Sequence, residues 1–169
     1  MHGLVLPRQC FKVRTSYGIR EIVDCLAAEI SESYCAVHQH FLIYDSPEGK
    51  VLSDAESERL DRECERFLIE EQERNGAEIR DLKLFGPGFL LRFRDYLYGD
   101  WNRFYLLSEK VPLGEIQLGS NQVPPQCEIF ICCVDAAYWE VYTRDTALLE
   151  RLKERFPEAM PRNLADKTY

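Results

Sequence analysis

The fold is decided by residues 127–156, which read CEIFICCVDAAYWEVYTRDTALLERLKERF. The first part, 128–134, is a run of apolar and β-branched residues, and 138–143 alternates between two faces after a short turn at Asp135. An amphipathic pattern follows from about Asp145. The stretch therefore predicts a tight β-hairpin followed by a helix. It carries no recognisable catalytic chemistry.

The size and composition of the chain predict one globular domain. It has 169 residues, of which 46% are hydrophobic and 12% aromatic, enough to bury a substantial core. We expect this domain to span 1–158, with 159–169 as a C-terminal tail. The apolar runs are too short to cross a membrane, and the first residues lack the pattern of a secretory signal. These features predict a cytoplasmic protein with no membrane partner.

Charge disfavours nucleic acid as a partner. The chain has 21 basic and 29 acidic residues, a net charge of −8, whereas phosphate binding needs concentrated lysine and arginine. Most of the negative charge lies in 54–78, where ten acids outnumber four arginines. This segment reads as an exposed helix. It is either an ordinary solvated face or a contact for a basic protein.

The seven cysteines are an odd number and stand in predicted helices and strands. We interpret them as free thiols in the core, which fits a reducing compartment. Cys132 and Cys133 are adjacent on a strand and point to opposite faces, so they do not form a redox pair.

The remaining periodicity predicts an α+β fold. Ile19 begins a helical stripe that ends near Ile30, and a capping box at Ser53 and Glu56 begins a second helix, which we expect to stop at Asn75. We expect a mostly antiparallel sheet of about six to eight strands with about three helices chiefly on one face. The second face would meet water, a partner or a ligand. Besides the hairpin, the predicted strands are 10–14, 35–45, 79–85, 89–96, 102–108 and 114–118.

A histidine pair is the first candidate site. His38 and His40 stand two apart on a predicted strand, so both imidazoles would project from one face and could share a metal ion. A third ligand is missing nearby. The alternative is two ordinary histidines on a solvated strand face. We assign neither a metal nor a cofactor.

An arginine pair is the second candidate. Arg92 and Arg94 alternate with apolar residues in 89–95, so two guanidiniums would share a sheet face and could hold a phosphate or carboxylate. The alternative is internal cross-strand ion pairing with Asp81, Asp95 and Asp100.

Aromatic residues form the third candidate. Trp101 lies in a cluster of tyrosines and phenylalanines that strands would distribute over both faces. Most of these rings would belong to the core. An exposed group around Trp101 would instead anchor a protein partner.

No catalytic motif accompanies these residues, and the supply of histidine bases is small. We therefore expect a small protein-interaction or binding domain rather than an enzyme, with another protein, basic in character, or a second copy of the chain as partner. In composition the chain resembles bacterial antitoxin and immunity proteins, which cover a toxin's site. That resemblance assigns no residue a role. The alternative is an enzyme or small-ligand-binding protein with a pocket on the second sheet face, lined by His38, His40, Arg92, Arg94 and Trp101.

Overall fold

A computed structural model describes residues 1–11, 19–38, 52–72, 82–97, 102–116, 123–134 and 137–166. Within these residues there are eight strands and five α-helices. The strands are β1 (His2–Pro7), β2 (Tyr34–His38), β3 (Leu68–Gln72), β4 (Leu82–Phe85), β5 (Arg103–Leu107), β6 (Cys127–Val134), β7 (Tyr138–Thr143) and β8 (Met160–Asn163). The helices are α1 (Ile19–Cys25), α2 (Ala27–Glu32), α3 (Asp54–Glu65), α4 (Phe89–Phe93) and α5 (Thr146–Arg155).

The eight strands form one sheet in the order β3-β4-β2-β5-β6-β7-β1-β8, and every neighbouring pair is antiparallel. This confirms the predicted fold class. β1, the first strand of the chain, lies between β7 and β8, two of its last elements.

The hairpin and helix of 127–156 are confirmed. β6 and β7 pair from Ile129 opposite Thr143 to Val134 opposite Tyr138. Asp145 then caps α5, because its carboxylate accepts the backbone N–H groups of the second and third helical residues at 2.8 and 3.3 Å.

The five α-helices of the described chain all bury side chains against one side of the sheet, which we call the helix face. Its largest buried rings include Trp139, Phe104, Phe85 and Phe89, and the last two are stacked with centroids 3.9 Å apart. The predicted stripe from Ile19 to Ile30 is present, although a non-helical residue at position 26 divides it into α1 and α2. The capping box of α3 is also confirmed.

The other side of the sheet, the second face, has a core of its own. Tyr105, Phe130 and Tyr142 lie side by side on β5, β6 and β7, and the ring centroids of successive pairs are 4.8 and 5.9 Å apart. Residues 111–116 cover part of this face, and the Leu113 N–H donates to the Glu70 carboxylate at 3.2 Å. The expectation of a face left for water or a ligand is therefore only partly right, because the chain closes much of it.

Two element predictions in the middle of the chain are wrong. The acidic helix stops at Glu65 and the chain turns into β3, so the helix does not reach position 75. Residues 89–93 form helix α4 instead of a strand. Phe89, Leu90 and Phe93 are all buried, a helical spacing, whereas a strand would have buried Leu91 with Phe89. Gly88, at φ 82°, supplies the left-handed residue before α4.

Three predictions on shorter segments are also wrong. The expected tail at 159–169 contributes β8, which pairs with β1. Residues 113–115 form a short 3-10 turn where the strand 114–118 was expected. Cys10 ends another 3-10 turn that follows β1, so the described part of 10–14 is no strand. No helix among the described residues is both long enough and apolar enough to cross a bilayer.

All seven cysteines are free thiols, and only Cys10 and Cys25 are partly exposed. Burial raises the pKa of Cys127 to about 12 and raises that of Cys35 even further above its usual range. We expect native protein treated with iodoacetamide at pH 8 to gain adducts at Cys10 and Cys25 alone, and all seven after unfolding in urea. Peptide mass spectrometry locates the adducts. Modification of Cys132 or Cys133 in native protein would contradict the described packing.

Candidate functional site

A row of polar side chains crosses four neighbouring strands on the second face. His38 on β2 lies opposite Arg103 on β5, Arg103 lies opposite Cys132 on β6, and Cys132 lies opposite Glu140 on β7. Alternation along each strand directs these side chains to the same face as Tyr105 and Tyr142. We call the four residues the polar row.

The β7 end of the row holds a buried ion pair. Glu140 is 0% exposed, and its carboxylate accepts a hydrogen bond from the Arg162 guanidinium at 2.7 Å. Arg162 comes from β8, and Gly3 of β1 lies between Arg162 and Tyr142 in the register. The pair therefore ties the C-terminal edge strand across β1 to β7.

Two tyrosines surround this ion pair. Burial, with the neighbouring Glu140 carboxylate, raises the pKa of Tyr142 far above its usual range. Burial works against the charge of Arg162, but Glu140 and a hydrogen bond to the Tyr138 hydroxyl outweigh it, and the pKa of Arg162 is raised. The guanidinium therefore stays charged and the Tyr142 phenol stays neutral at any physiological pH.

The β2 end of the row carries two bases. His38 is the last residue of β2 and Arg103 the first residue of β5, and both side chains are half-buried. Arg103 is also near the Tyr105 hydroxyl, two residues along its own strand. Burial raises the pKa of Tyr105 to about 12 although Arg103 works in the opposite direction, so this phenol is neutral.

The structure separates the predicted arginine pair from the second face. Arg92, on α4, binds the Glu63 carboxylate of α3 in a bidentate contact with N–O distances of 2.5 and 2.7 Å. Its guanidinium also lies 5.6 Å from the ring centroid of Phe93 and 5.9 Å from that of Tyr96. Arg92 thus joins two helices on the helix face.

Arg94, just after α4, is paired in a similar way. Its guanidinium lies 2.9 Å from the Asp24 carboxylate of α1 and donates to the Leu91 carbonyl at 2.8 Å. The prediction of one sheet face for both arginines is therefore wrong. The alternative, that both arginines form internal ion pairs, is correct. The pairs join helices instead of strands, however, because Arg92 binds Glu63 and Arg94 binds Asp24.

His40 and Trp101 lie outside the described residues, so the histidine pair and the exposure of the tryptophan stay predictions. His38 is on the second face, opposite Cys35 and Val37, as the alternation predicted for residues 35–45 requires. The described residues contain no group of three or more His, Cys, Asp or Glu side chains placed to hold a metal.

A second candidate surface lies at the opposite edge of the sheet from β8. Residues 54–72, which contain α3 and β3, hold eight acids and three arginines, a net charge of −5 out of the −8 of the whole chain. Six of these carboxylates are exposed, and we call them the acidic surface. They belong to Asp54, Glu56, Glu58, Asp61, Glu65 and Glu71.

Two clefts are also present, and Arg162 lines the second of them. One, of about 350 Å³, opens beside the N-terminus of α5, but its Asp145 caps the helix and its Arg144 donates to the backbone carbonyls of residues 125 and 127. The other, of about 420 Å³, lies between α5 and β8, where Lys153 pairs with Glu150 at 2.9 Å. In both clefts these polar groups are engaged locally.

Comparison of the chain with protein-family profiles, curated proteins and solved structures found no match.

The sequence interpretation missed the buried ion pair. Glu140 stands between Trp139 and Val141 on a strand whose residues are buried on both faces, and an acid at such a position needs a buried partner. That signal is visible in the sequence. The partner, Arg162, lies in a segment that was interpreted as a tail, so the sequence did not show that these two residues pair.

Proposed function

We propose that this chain is a cytoplasmic protein-interaction domain that binds a basic protein through the acidic surface. The observation that carries the proposal is the charge distribution: 19 residues hold −5 of the net −8, and six of their carboxylates reach solvent. Such a field attracts a positively charged partner, speeds the encounter and disfavours acidic competitors.

Among the described residues, local pairing compensates part of this charge: of the six exposed carboxylates, Glu71 lies 2.6 Å from the Lys83 ammonium and Glu58 is paired with an arginine. Arg62 lies 3.6 Å from Glu58 on the exposed side of α3, and Arg59 lies 3.6 Å from Glu63. Glu63 itself is already engaged by Arg92. Exposed ion pairs of this kind exchange readily with solvent and contribute little to stability. Breaking them when a partner binds therefore costs little free energy.

The adjacent sheet edge adds an apolar contact to the charges. β3 is the terminal strand, and Ile69 in it is 38% exposed. Ile69 and Met160 are the two large exposed hydrophobic residues of the described chain. A partner with an apolar side chain flanked by lysines or arginines would cover Ile69 while its charges meet the carboxylates around it. This pattern fits a protein better than a small cation.

The test compares two triple variants with the same change in charge. Glu58→Gln, Asp61→Asn and Glu65→Gln together neutralise part of the acidic surface, whereas Glu109→Gln, Glu115→Gln and Glu154→Gln neutralise three exposed acids elsewhere. Each protein is immobilised and incubated with lysate of the source cells at low salt. We expect a basic protein to bind the parent and the control triple but not the acidic-surface triple.

The bound protein is then purified and its association rate measured. We expect the rate constant to fall at least about tenfold between low salt and 0.5 M salt, because screening removes the steering field. Equal binding by the two triples, or a rate independent of salt, would contradict the proposal. Self-association of the parent in sedimentation, with no other protein bound, would favour a second copy of the chain as the partner.

A further inference from the structure

The sheet edge beside the acidic surface has an unpaired side. β3 pairs with β4, and none of the described strands lies beyond it. A terminal strand turns alternate backbone N–H and C=O groups away from its sheet, where they can bond to another extended chain. The opposite terminal strand, β8, contains Pro161, which has no N–H to donate. β3 contains no proline, so it is the better template for an added strand.

An irregularity within β3 presents an apolar side chain at this edge. The register with β4 shifts between Leu68 and Glu70, which would share a face of a regular strand. Here Leu68 packs on the core of the helix face, whereas Glu70 accepts the Leu113 N–H on the second face. Ile69, at the change of face, is 38% exposed. Edges that must stay unpaired usually carry charged side chains instead, so an exposed isoleucine favours an edge that a partner covers.

The charge of the edge selects the kind of strand that can pair. An antiparallel pairing of β3 with a second copy of itself, centred on the strand, would bring Glu70 opposite another Glu70 or opposite Glu71. Like charges directly opposite each other destabilise a sheet. A strand with lysines or arginines would instead meet the exposed carboxylates of Glu71 and of Glu65, just before β3. Glu71 lies 2.6 Å from Lys83, but this exposed pair contributes little and can open.

From these features we propose that the partner docks an extended basic segment along the outer edge of β3 and so adds a strand to the sheet. Backbone hydrogen bonds provide the pairing, and an apolar side chain of the segment covers Ile69. Its lysines or arginines face the carboxylates of the acidic surface. This mode of binding rests on the proposed function, because it specifies how the same basic partner is recognised.

Two synthetic peptides test the pairing. Both are short capped peptides in which lysine alternates with valine, and in the second every backbone amide is N-methylated, so the side chains stay but the backbone donors are lost. We expect the first to bind ¹⁵N-labelled protein saturably, with NMR shifts and slowed hydrogen exchange at amides of β3. The second should bind at least about tenfold more weakly, which corresponds to the loss of one or two hydrogen bonds. Equal affinity of the two peptides, or no saturable change in β3, would show that the pairing is wrong.

Two variants that add the same charge make the test specific. Ile69→Lys places an ammonium on the β3 edge, and the Kd of the unmethylated peptide should rise at least about tenfold. Met160→Lys changes the other large exposed hydrophobic residue, on the β8 edge, and should leave this Kd unchanged. A parental Kd for Ile69→Lys would overturn the assignment. Capture of a basic protein that requires the acidic surface but tolerates Ile69→Lys would contradict pairing at β3 while supporting the proposed function.

Discussion

Replacing Arg162 by methionine should lower the free energy of unfolding by about 3 kcal/mol. The substitution keeps much of the apolar stem but leaves the fully buried Glu140 without its cation. An uncompensated charge inside a sheet costs far more than the lost attraction between two exposed charges. The estimate is at the lower end of the usual range because the Arg162 side chain keeps 28% exposure.

Urea unfolding followed by circular dichroism measures this loss. The exposed pair of Arg151 and Glu29, at 2.5 Å, provides a matched control: Arg151→Met should cost less than about 1 kcal/mol. Adding Glu140→Gln to Arg162→Met should restore part of the stability, because the buried charge is then absent. Equal losses for the two methionine variants would show that Glu140 is effectively solvated.

Substituting Gly3 by alanine should lower the free energy of unfolding by about 3 kcal/mol or more. This is at or beyond the largest loss that is usual when a core is overpacked. A Cβ at this position would lie 2.3 Å from Cδ1 and 2.7 Å from Cε1 of Tyr142, and 2.7 Å from the Val141 carbonyl oxygen. The Tyr142 ring is fully buried and stacks on Phe130, so it has no room to withdraw. β1 would have to move away from β7.

Thermal and urea unfolding of the parent, Gly3→Ala, Gly114→Ala, Tyr142→Ala and the double variant would test this clash. Gly114→Ala is the control, since a Cβ there meets nothing within 4 Å, and its stability should change by less than about 0.5 kcal/mol. In the background of Tyr142→Ala, Gly3→Ala should cost less than in the parent, because only the contact with the Val141 carbonyl remains. If Gly3→Ala lowers the stability of the parent by less than about 1 kcal/mol, the Tyr142 ring does not lie against Gly3.

The sequence predicted those elements whose signals are local. The hairpin at 127–143 and the helix after Asp145 were correct because periodicity, turn and cap lie within 30 consecutive residues. Helix α4 was misjudged because five residues are too few to distinguish the two periods. Arg92 and Arg94 alternate with Leu91 and Phe93 as in a strand, and only the packing of Phe89, Leu90 and Phe93 together decides for a helix.

The order of the strands could not be predicted from the sequence, and the candidate sites depend on that order. The alternating pattern placed His38 on the correct face. Its pairing with Arg103 follows only from the position of β2 beside β5. Likewise, Glu140 and Arg162 meet only because β1 lies between β7 and β8. The β8 segment, Met-Pro-Arg-Asn, has no strand pattern of its own and is held by these distant partners.

The placement of β1 also bears on how the protein is made. A ribosome synthesises β1 well before both of its neighbours in the sheet, which come from 138–163. The growing chain must therefore carry this apolar strand without its two sheet neighbours until residues 138–163 have been made. During that time β1 is exposed to aggregation and to chaperones. The sheet closes only when β8 has left the exit tunnel, because β1 lies between β7 and β8.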